Sequence, residues 1–272
     1  MPEHPAPLPL TGLLTDRVVL VTGAASGLGL GIARGLATAG AKICATDVDE
    51  AGLAAVADEL GRDRVLPVRL DVTDEASVAA AFAAAVTRFS RLDGLVCAAG
   101  IAPAGNLVDF PLAKWELALR INLTGYFLCG REAARIFTRQ GSGGAMVLLS
   151  SKSGLEPSKA NSAYNATKAG EIHLARGWAA ELGRSGIRVN CIAPGNVFEG
   201  SKIWNPAYIA ERAKAKGIAP EQVIPSYIAQ TALDRDIKPT DIANAAAWLL
   251  SDAARCVTGQ VIVVDSGQVW TR

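Results

Sequence analysis

The sequence has very little histidine. Only His4 and His173 stand in 272 residues, so a histidine-ligated metal centre or a Ser-His-Asp triad has almost nothing to work with. Its five cysteines (Cys44, Cys97, Cys129, Cys191, Cys256) lie at least 32 residues apart, with no CxxC pair and no neighbouring histidine. That spacing excludes a disulfide framework or a zinc module, and no metal site is expected. Charge is scarce as well: 19% of residues are charged, against roughly 25% in an average soluble protein. The signs balance, with 27 Lys and Arg against 26 Asp and Glu. Without a basic excess, a nucleic-acid partner is not expected. No stretch is long and purely apolar enough to span a bilayer, so no membrane partner is expected either. The first ten residues lack a basic segment and a continuous apolar one, so they do not read as a secretory signal. Together these absences predict a reduced, cytoplasmic protein.

What is present is apolar bulk and rhythm. Half of the residues are hydrophobic and 27 are glycine, and a chain of this length can bury one sizeable core. Residues 1–14, with four prolines and no periodicity, read as an extended arm, leaving 15–272 as one domain. Val18 to Val21 is an apolar, β-branched run ending in Thr22-Gly23, the mark of a strand buried on both faces. Further strands are expected at Ala41 to Thr46, Val65 to Leu70, Leu92 to Ala98, Ala145 to Leu149, 187–193 and 260–264. Helices are expected between them, one running through Ile32 and Leu36 to the Gly40 stop and others at about 50–60, 76–89, 113–139, 162–183 and 240–251. Such alternation predicts a doubly wound, Rossmann-type α/β fold: a parallel sheet of about seven strands with helices on both faces. Residues 194–238 break the rhythm and read as irregular. An excursion at the carboxyl end of a strand is where ligands bind in such sheets, so about 196–235 is expected to form a substrate lid.

The turn after the first strand, Thr22 to Gly29, has the spacing G-x-x-x-G-x-G. Glycines at Gly23, Gly27 and Gly29 permit positive φ and close backbone approach. With Ser26 and Leu28 they open a helix whose free N–H groups suit a pyrophosphate. Asp47 follows 18 residues after Gly29, at the distance where an acid meets an adenosine ribose diol. Its charge repels a 2′-phosphate and no arginine flanks it, which favours NAD. Asp71-Val72 ends the third strand, where Asp71 either meets the adenine amino group or serves only the turn.

Tyr164 and Lys168 stand at i and i+4, on one helix face. A free phenol, with a pKa of roughly 10, is a poor base at neutral pH, and a nearby ammonium favours the tyrosinate. Ser151 lies 13 residues before Tyr164, just past the fifth strand, where its hydroxyl can hydrogen-bond a reacting oxygen. A methyltransferase shares the glycine turn and the acid but gives no reason for these three residues. A silent nucleotide-sensing module would more naturally have lost Tyr164 or Lys168.

With these motifs the chain resembles the single-domain short-chain dehydrogenase/reductases over about residues 15–272. The family's serine, tyrosine and lysine fall on Ser151, Tyr164 and Lys168, and its helix-borne asparagine falls on Asn122. Its proline-glycine nicotinamide loop falls on Pro194-Gly195, with Val197 where the backbone meets the carboxamide. The resemblance implies hydride transfer: Tyr164 exchanges a proton with the substrate oxygen and Ser151 polarises it. Lys168 holds the nicotinamide ribose, and Asn122 holds a water in a proton relay. It also implies a homotetramer. Two positions depart from the family. Its Asn-Asn-Ala-Gly is here Cys97-Ala98-Ala99-Gly100, so contacts to the adenosine ribose there must be main-chain, and a threonine after the loop is here Glu199.

The segment Gly195 to Pro206, with Ser151 to Gly154 and Ser158 to Asn161, resembles the sorbitol-6-phosphate 2-dehydrogenase branch. It also resembles the dehydrogenase half of bifunctional aldolase/dehydrogenases, which act on lactaldehyde. Ser153, Asn161, Asn196, Glu199, Lys202 and Trp204 are the candidate substrate residues, for a polyol, sugar or sugar phosphate. The lysines near this segment (Lys152, Lys159, Lys202) either meet a phosphate or are solvated. The polarity of the lid argues against a steroid or acyl pocket.

Overall fold

The structure, a computed structural model, describes residues 10–201 and 203–270. Seven parallel strands form one sheet in the order β3-β2-β1-β4-β5-β6-β7. They are β1 (Val18–Thr22), β2 (Lys42–Asp47), β3 (Val65–Arg69), β4 (Gly94–Cys97), β5 (Gly144–Leu149), β6 (Ile187–Pro194) and β7 (Val261–Val264). β1 and β4 are buried along their whole length, which is why they read as unbroken apolar runs rather than alternating ones. Order reverses between β1 and β4, so a crevice opens at their carboxyl ends.

Helices cover both faces. On one side α1 (Gly27–Thr38), α2 (Glu50–Leu60) and α9 (Pro239–Leu250) pack on Val19, Val21, Ile43 and Ile192. On the other, α3 (Glu75–Phe89), α5 (Gly125–Gln140) and α6 (Ser162–Leu182) pack on Val18, Leu20, Leu95 and Val189. Small residues set the spacing. A Cβ on Gly35 would lie 2.4 Å from the Ala243 Cβ, so α1 and α9 approach closely because α1 carries glycine there. Asp49 and Asp74 cap α2 and α3 by accepting from Gly52 and Ala76 amides at 3.0 and 2.9 Å, each cap worth about 1 kcal/mol.

Three expectations need correction. The helix expected over 113–139 is helical from Leu112 to Gln140 but not uniformly α: α4 (Leu112–Ala118) passes through a π-helical segment, Leu119–Thr124, into α5. The stretch expected to be irregular contains α7 (Pro206–Lys216) and α8 (Val223–Ile228). Leu14, assigned to the arm, is buried in the core and its amide donates to the Ala39 carbonyl at 2.9 Å; its apolar side chain outweighs the prolines before it. The rest of the expected arm up to residue 9 lies outside the described residues.

Candidate active site

The glycine turn is built as a cradle. Gly23 and Gly27 have φ of +69° and +56°, a region open to glycine at little cost. A Cβ on Gly23 would lie 2.9 Å from the Ala99 backbone, and one on Gly29 would lie 2.1 Å from the Gly23 carbonyl oxygen. Gly27, by contrast, opens onto free space, with the Gly200 carbonyl oxygen 4.0 Å away. Ser26 stands at the N-cap of α1 without making a side-chain cap, and no acid occupies the first turn. The amino-terminal N–H groups of α1 are therefore left for an anion, and the residues fit a dinucleotide pyrophosphate.

Around the cradle, Asp47 is held by two main-chain amides: Ala25 N–H donates to one carboxylate oxygen and Asp49 N–H to the other, both at 3.1 Å. The carboxylate is thus fixed at the end of β2. Asp71 accepts from both the amide and the hydroxyl of Thr73, at 2.9 and 2.8 Å, and these bonds hold it below the usual carboxylate range. Its neighbour Val72 packs against Gly125. The Ala98 and Ala99 amides are already committed to the Thr22 hydroxyl, at 3.0 and 3.1 Å. Main-chain recognition at Ala98 to Gly100 is thereby left to carbonyl oxygens and the Gly100 amide. On the far side, Pro194 ends β6, Gly195 packs on Asp265, and Val197 bridges to Ile237.

The chemical residues converge where β5 meets α6. Ser151 follows β5 and its hydroxyl accepts from the Ser153 amide at 3.1 Å. The neighbouring Ser150 hydroxyl donates to the Lys168 carbonyl at 2.7 Å, tying α6 to the strand end. Lys168 Nζ lies 5.5 Å from the centre of the Tyr164 ring and donates to the Leu149 carbonyl at 2.7 Å. Asn122 sits in the π-helical segment, a form of helix often found at functional sites. Its amide group bridges the Ile101 backbone in both directions at 2.9 Å and donates to the Thr167 hydroxyl at 3.0 Å. Both of its N–H donors are thus taken, so the expected water is left to its backbone carbonyl or the spare lone pair of Oδ1.

The candidate substrate residues divide. Ser153 is buried beside Ser151. Asn161 is half-buried and donates to the Ser158 hydroxyl at 2.9 Å. Asn196 is half-buried, and its Nδ2 has no partner among the described residues. Glu199 is exposed and pairs with Lys238 at 3.3 Å, so its charge is met at the start of α9. Trp204 lies in an aromatic cluster, 4.7 Å from Phe198, 5.3 Å from Tyr208 and 5.1 Å from Tyr227 between ring centres. The interior of the expected lid is therefore aromatic, and its polarity in sequence excludes no apolar substrate. Lys202 lies outside the described residues.

Two residues at this centre escape sequence reasoning. Tyr126 is buried and its hydroxyl donates to the same Leu149 carbonyl at 3.1 Å. Glu171, fully buried, accepts from Lys168 Nζ at 3.0 Å on both carboxylate oxygens. Burial works against the Lys168 ammonium, but Glu171 and Tyr164 outweigh it and the net direction is upward. Burial pushes Glu171 up to about 8, with Lys168 pulling it back only in part. Position i+3 from the lysine was the available signal.

A family model described as Enoyl-(Acyl carrier protein) reductase matches residues 23–268. An uncharacterized oxidoreductase of Bacillus subtilis, YuxG, is 40% identical over 92% of this chain, which spans only 37% of that protein's length. The cis-4-hydroxycyclohexanecarboxylate dehydrogenase of Sinomonas cyclohexanicum is 40% identical over 93% of this chain and 96% of its own. Among solved structures, the sorbitol-6-phosphate 2-dehydrogenase SrlD of Erwinia amylovora superposes with a TM-score of 0.86. It shares 36% identity, and the match covers 93% of this chain and 99% of that one. With this fold and these relatives, the chain belongs to the short-chain dehydrogenase/reductase family and is an oxidoreductase acting on CH–OH groups with a nicotinamide cofactor.

Proposed function

We propose that the protein is an NAD-dependent dehydrogenase that oxidises a secondary alcohol of a polyol, sugar or sugar phosphate, or reduces the corresponding ketone. The observation that carries the reading is the Lys168 ammonium 5.5 Å from the centre of the Tyr164 ring, with Ser151 following Ser150, whose hydroxyl ties that helix to the strand end, next to a glycine cradle open to a dinucleotide. Tyr164, as the phenolate, takes the proton of the substrate hydroxyl, while the Ser151 hydroxyl holds and polarises that oxygen. Lys168 fixes the nicotinamide ribose and sets its ammonium beside the Tyr164 ring. Asn122 acts as a positioning residue, tying the π-helical segment to Ile101 and to α6. A bound nicotinamide supplies the hydride acceptor. Asp47, fixed by two amides and flanked by Thr46 and Val48, supports NAD over NADP.

Asn196, with its free amide donor, and Ser153 supply polar groups for hydroxyls. The likeness to a sorbitol-6-phosphate 2-dehydrogenase supports a sugar-like substrate. Lys152, beside Ser151, is the described candidate for a phosphate: burial pulls its ammonium down, and Asp265 and Glu156 oppose that. A second reading is a compact hydroxy-aldehyde or ketone with an apolar body, and the aromatic lid favours it. The same reading makes the protein a cytoplasmic homotetramer. Leu107, Val108, Leu112 and Phe127, exposed along α4, α5 and the turn before them, offer apolar surface for such assembly.

The test is NADH formation at mildly alkaline pH, with sorbitol 6-phosphate and sorbitol compared and NADP run beside NAD. Activity with NAD on the phosphate ester, weakened in Lys152→Gln, is the expected result. Equal rates on both polyols remove the phosphate, and a preference for NADP overturns the role of Asp47.

A further inference from the structure

Burying a carboxylate is costly, and a well-packed apolar side chain is often at least as stabilising in its place. Asp265 shows how this chain handles that cost when the role is structural: its oxygens accept from the Gly267, Gln268 and Val269 amides. Glu171 is more deeply buried than Asp265, yet among the described residues its carboxylate accepts only from Lys168. Its surroundings are otherwise short of polarity. Lys168 faces it from its own helix, Tyr126 from α5, Cys97 from β4 and Cys191 from β6. The Tyr126 hydroxyl is turned to Leu149 rather than to Glu171.

The Lys168 ammonium has three N–H donors. In the structure it has three contacts: the Leu149 carbonyl at 2.7 Å and the two Glu171 oxygens at 3.0 Å each. The two Glu171 oxygens, equally distant, together hold Nζ against the Leu149 carbonyl, and drawing it toward a ribose hydroxyl works against that hold. The Leu149 carbonyl belongs to the strand and cannot change its charge. The Glu171 carboxylate can, by taking up a proton.

We propose that Glu171 is a positioning residue that sets how firmly Lys168 is held back from the cofactor: as a carboxylate it retains the ammonium, and as a carboxylic acid it loosens its hold. The inference rests on the reading of Lys168 as the ribose-binding residue. Because burial raises the Glu171 carboxyl to about 8, the change falls within reach of a binding titration near neutral pH.

The experiment is NADH binding by fluorescence, without substrate, across pH 6 to 9.5, in the wild type, Glu171→Gln and Lys168→Met. The wild-type Kd is expected to rise severalfold as pH passes about 8, because the ionised carboxylate reclaims the lysine. Glu171→Gln, which keeps the size and one acceptor but cannot ionise, is expected to lose the wild-type step near pH 8; any weakening of its own comes from the Lys168 ammonium, which burial disfavours without the carboxylate, and is absent in Lys168→Met. The same pH dependence in Glu171→Gln as in the wild type overturns the proposal, as does a flat wild-type profile; the latter needs no variant to fold. Should Glu171→Gln prove insoluble, Glu171→Met serves in its place. Unaltered NADH binding in Lys168→Met overturns the ribose assignment itself, a failure distinct from that of Glu171.

Discussion

At the scale of single residues, the site depends on charge placed beside a weak acid. Tyr164 and Lys168 share a face of α6, and the ammonium lies over the phenol ring. Replacing Tyr164 by Phe removes the proton acceptor and little else, since the ring and its packing remain. Turnover of Tyr164→Phe is expected to fall by about 10²–10⁴-fold with an unchanged far-ultraviolet circular dichroism spectrum. Near-normal turnover would show that another group moves the proton. Tyr164, Lys168 and Ser151 were legible in sequence because their spacing encodes a helix face and a strand end. Glu171 was not, because a charged residue on a helix reads as solvent-facing until the packing shows it buried. The partner of Glu199 was hidden for a related reason: Lys238, distant in sequence, meets its charge only in the fold.

At the scale of elements, the strands were legible to within a residue or two. A run such as Val18 to Val21, buried on both faces, has no helical competitor of that length. The π-helical segment left no comparable mark, because the apolar pattern from Leu112 to Gln140 continues through it. Within it one buried side chain, Asn122, reaches across to Ile101 and Thr167. The two lid helices did carry signals. Asn205 caps α7 by accepting from the Tyr208 amide, Pro206 follows it, and Gly217 ends the helix with φ of +67°, the expected asymmetry of helix ends. The stretch reads as irregular from its broken rhythm, whereas Pro206 stands at a helix start. The packing of α1 on α9 makes a sharper prediction. With the Ala243 Cβ 2.4 Å from where a Cβ on Gly35 would stand, Gly35→Val is expected to force the helices apart. The expected loss is about 1–3 kcal/mol in urea unfolding, with the midpoint lowered. Unchanged stability would mean that α9 yields more easily than its buried contacts with the sheet suggest.

At the scale of the whole molecule, the two apolar layers that sandwich the sheet also set how stability responds to pH. One of them, between the sheet and helices α3, α5 and α6, encloses Glu171. In the unfolded chain this carboxyl titrates near its ordinary value of 4.5, whereas in the fold burial raises it to about 8. Between those values the folded state holds a proton that the unfolded state has released. Stability from this group is therefore fully present below the lower value, declines as pH rises, and is lost once pH passes the upper one. The slope cannot exceed about 1.4 kcal/mol per pH unit, the value for one proton. Glu171→Gln has no such proton, so urea midpoints of the wild type should fall relative to that variant from about pH 5 to about pH 8 and run parallel above it. In the wild type Lys168 is held upward by Glu171 and Tyr164 and titrates above this window; in Glu171→Gln burial pulls its ammonium down, so Glu171→Met/Lys168→Met, which carries neither charge, serves as a second reference curve. Parallel curves from pH 5 to 8 would show that the carboxylate stays ionised inside the apolar layer, held there by Lys168, and that burial has not bound a proton to the fold.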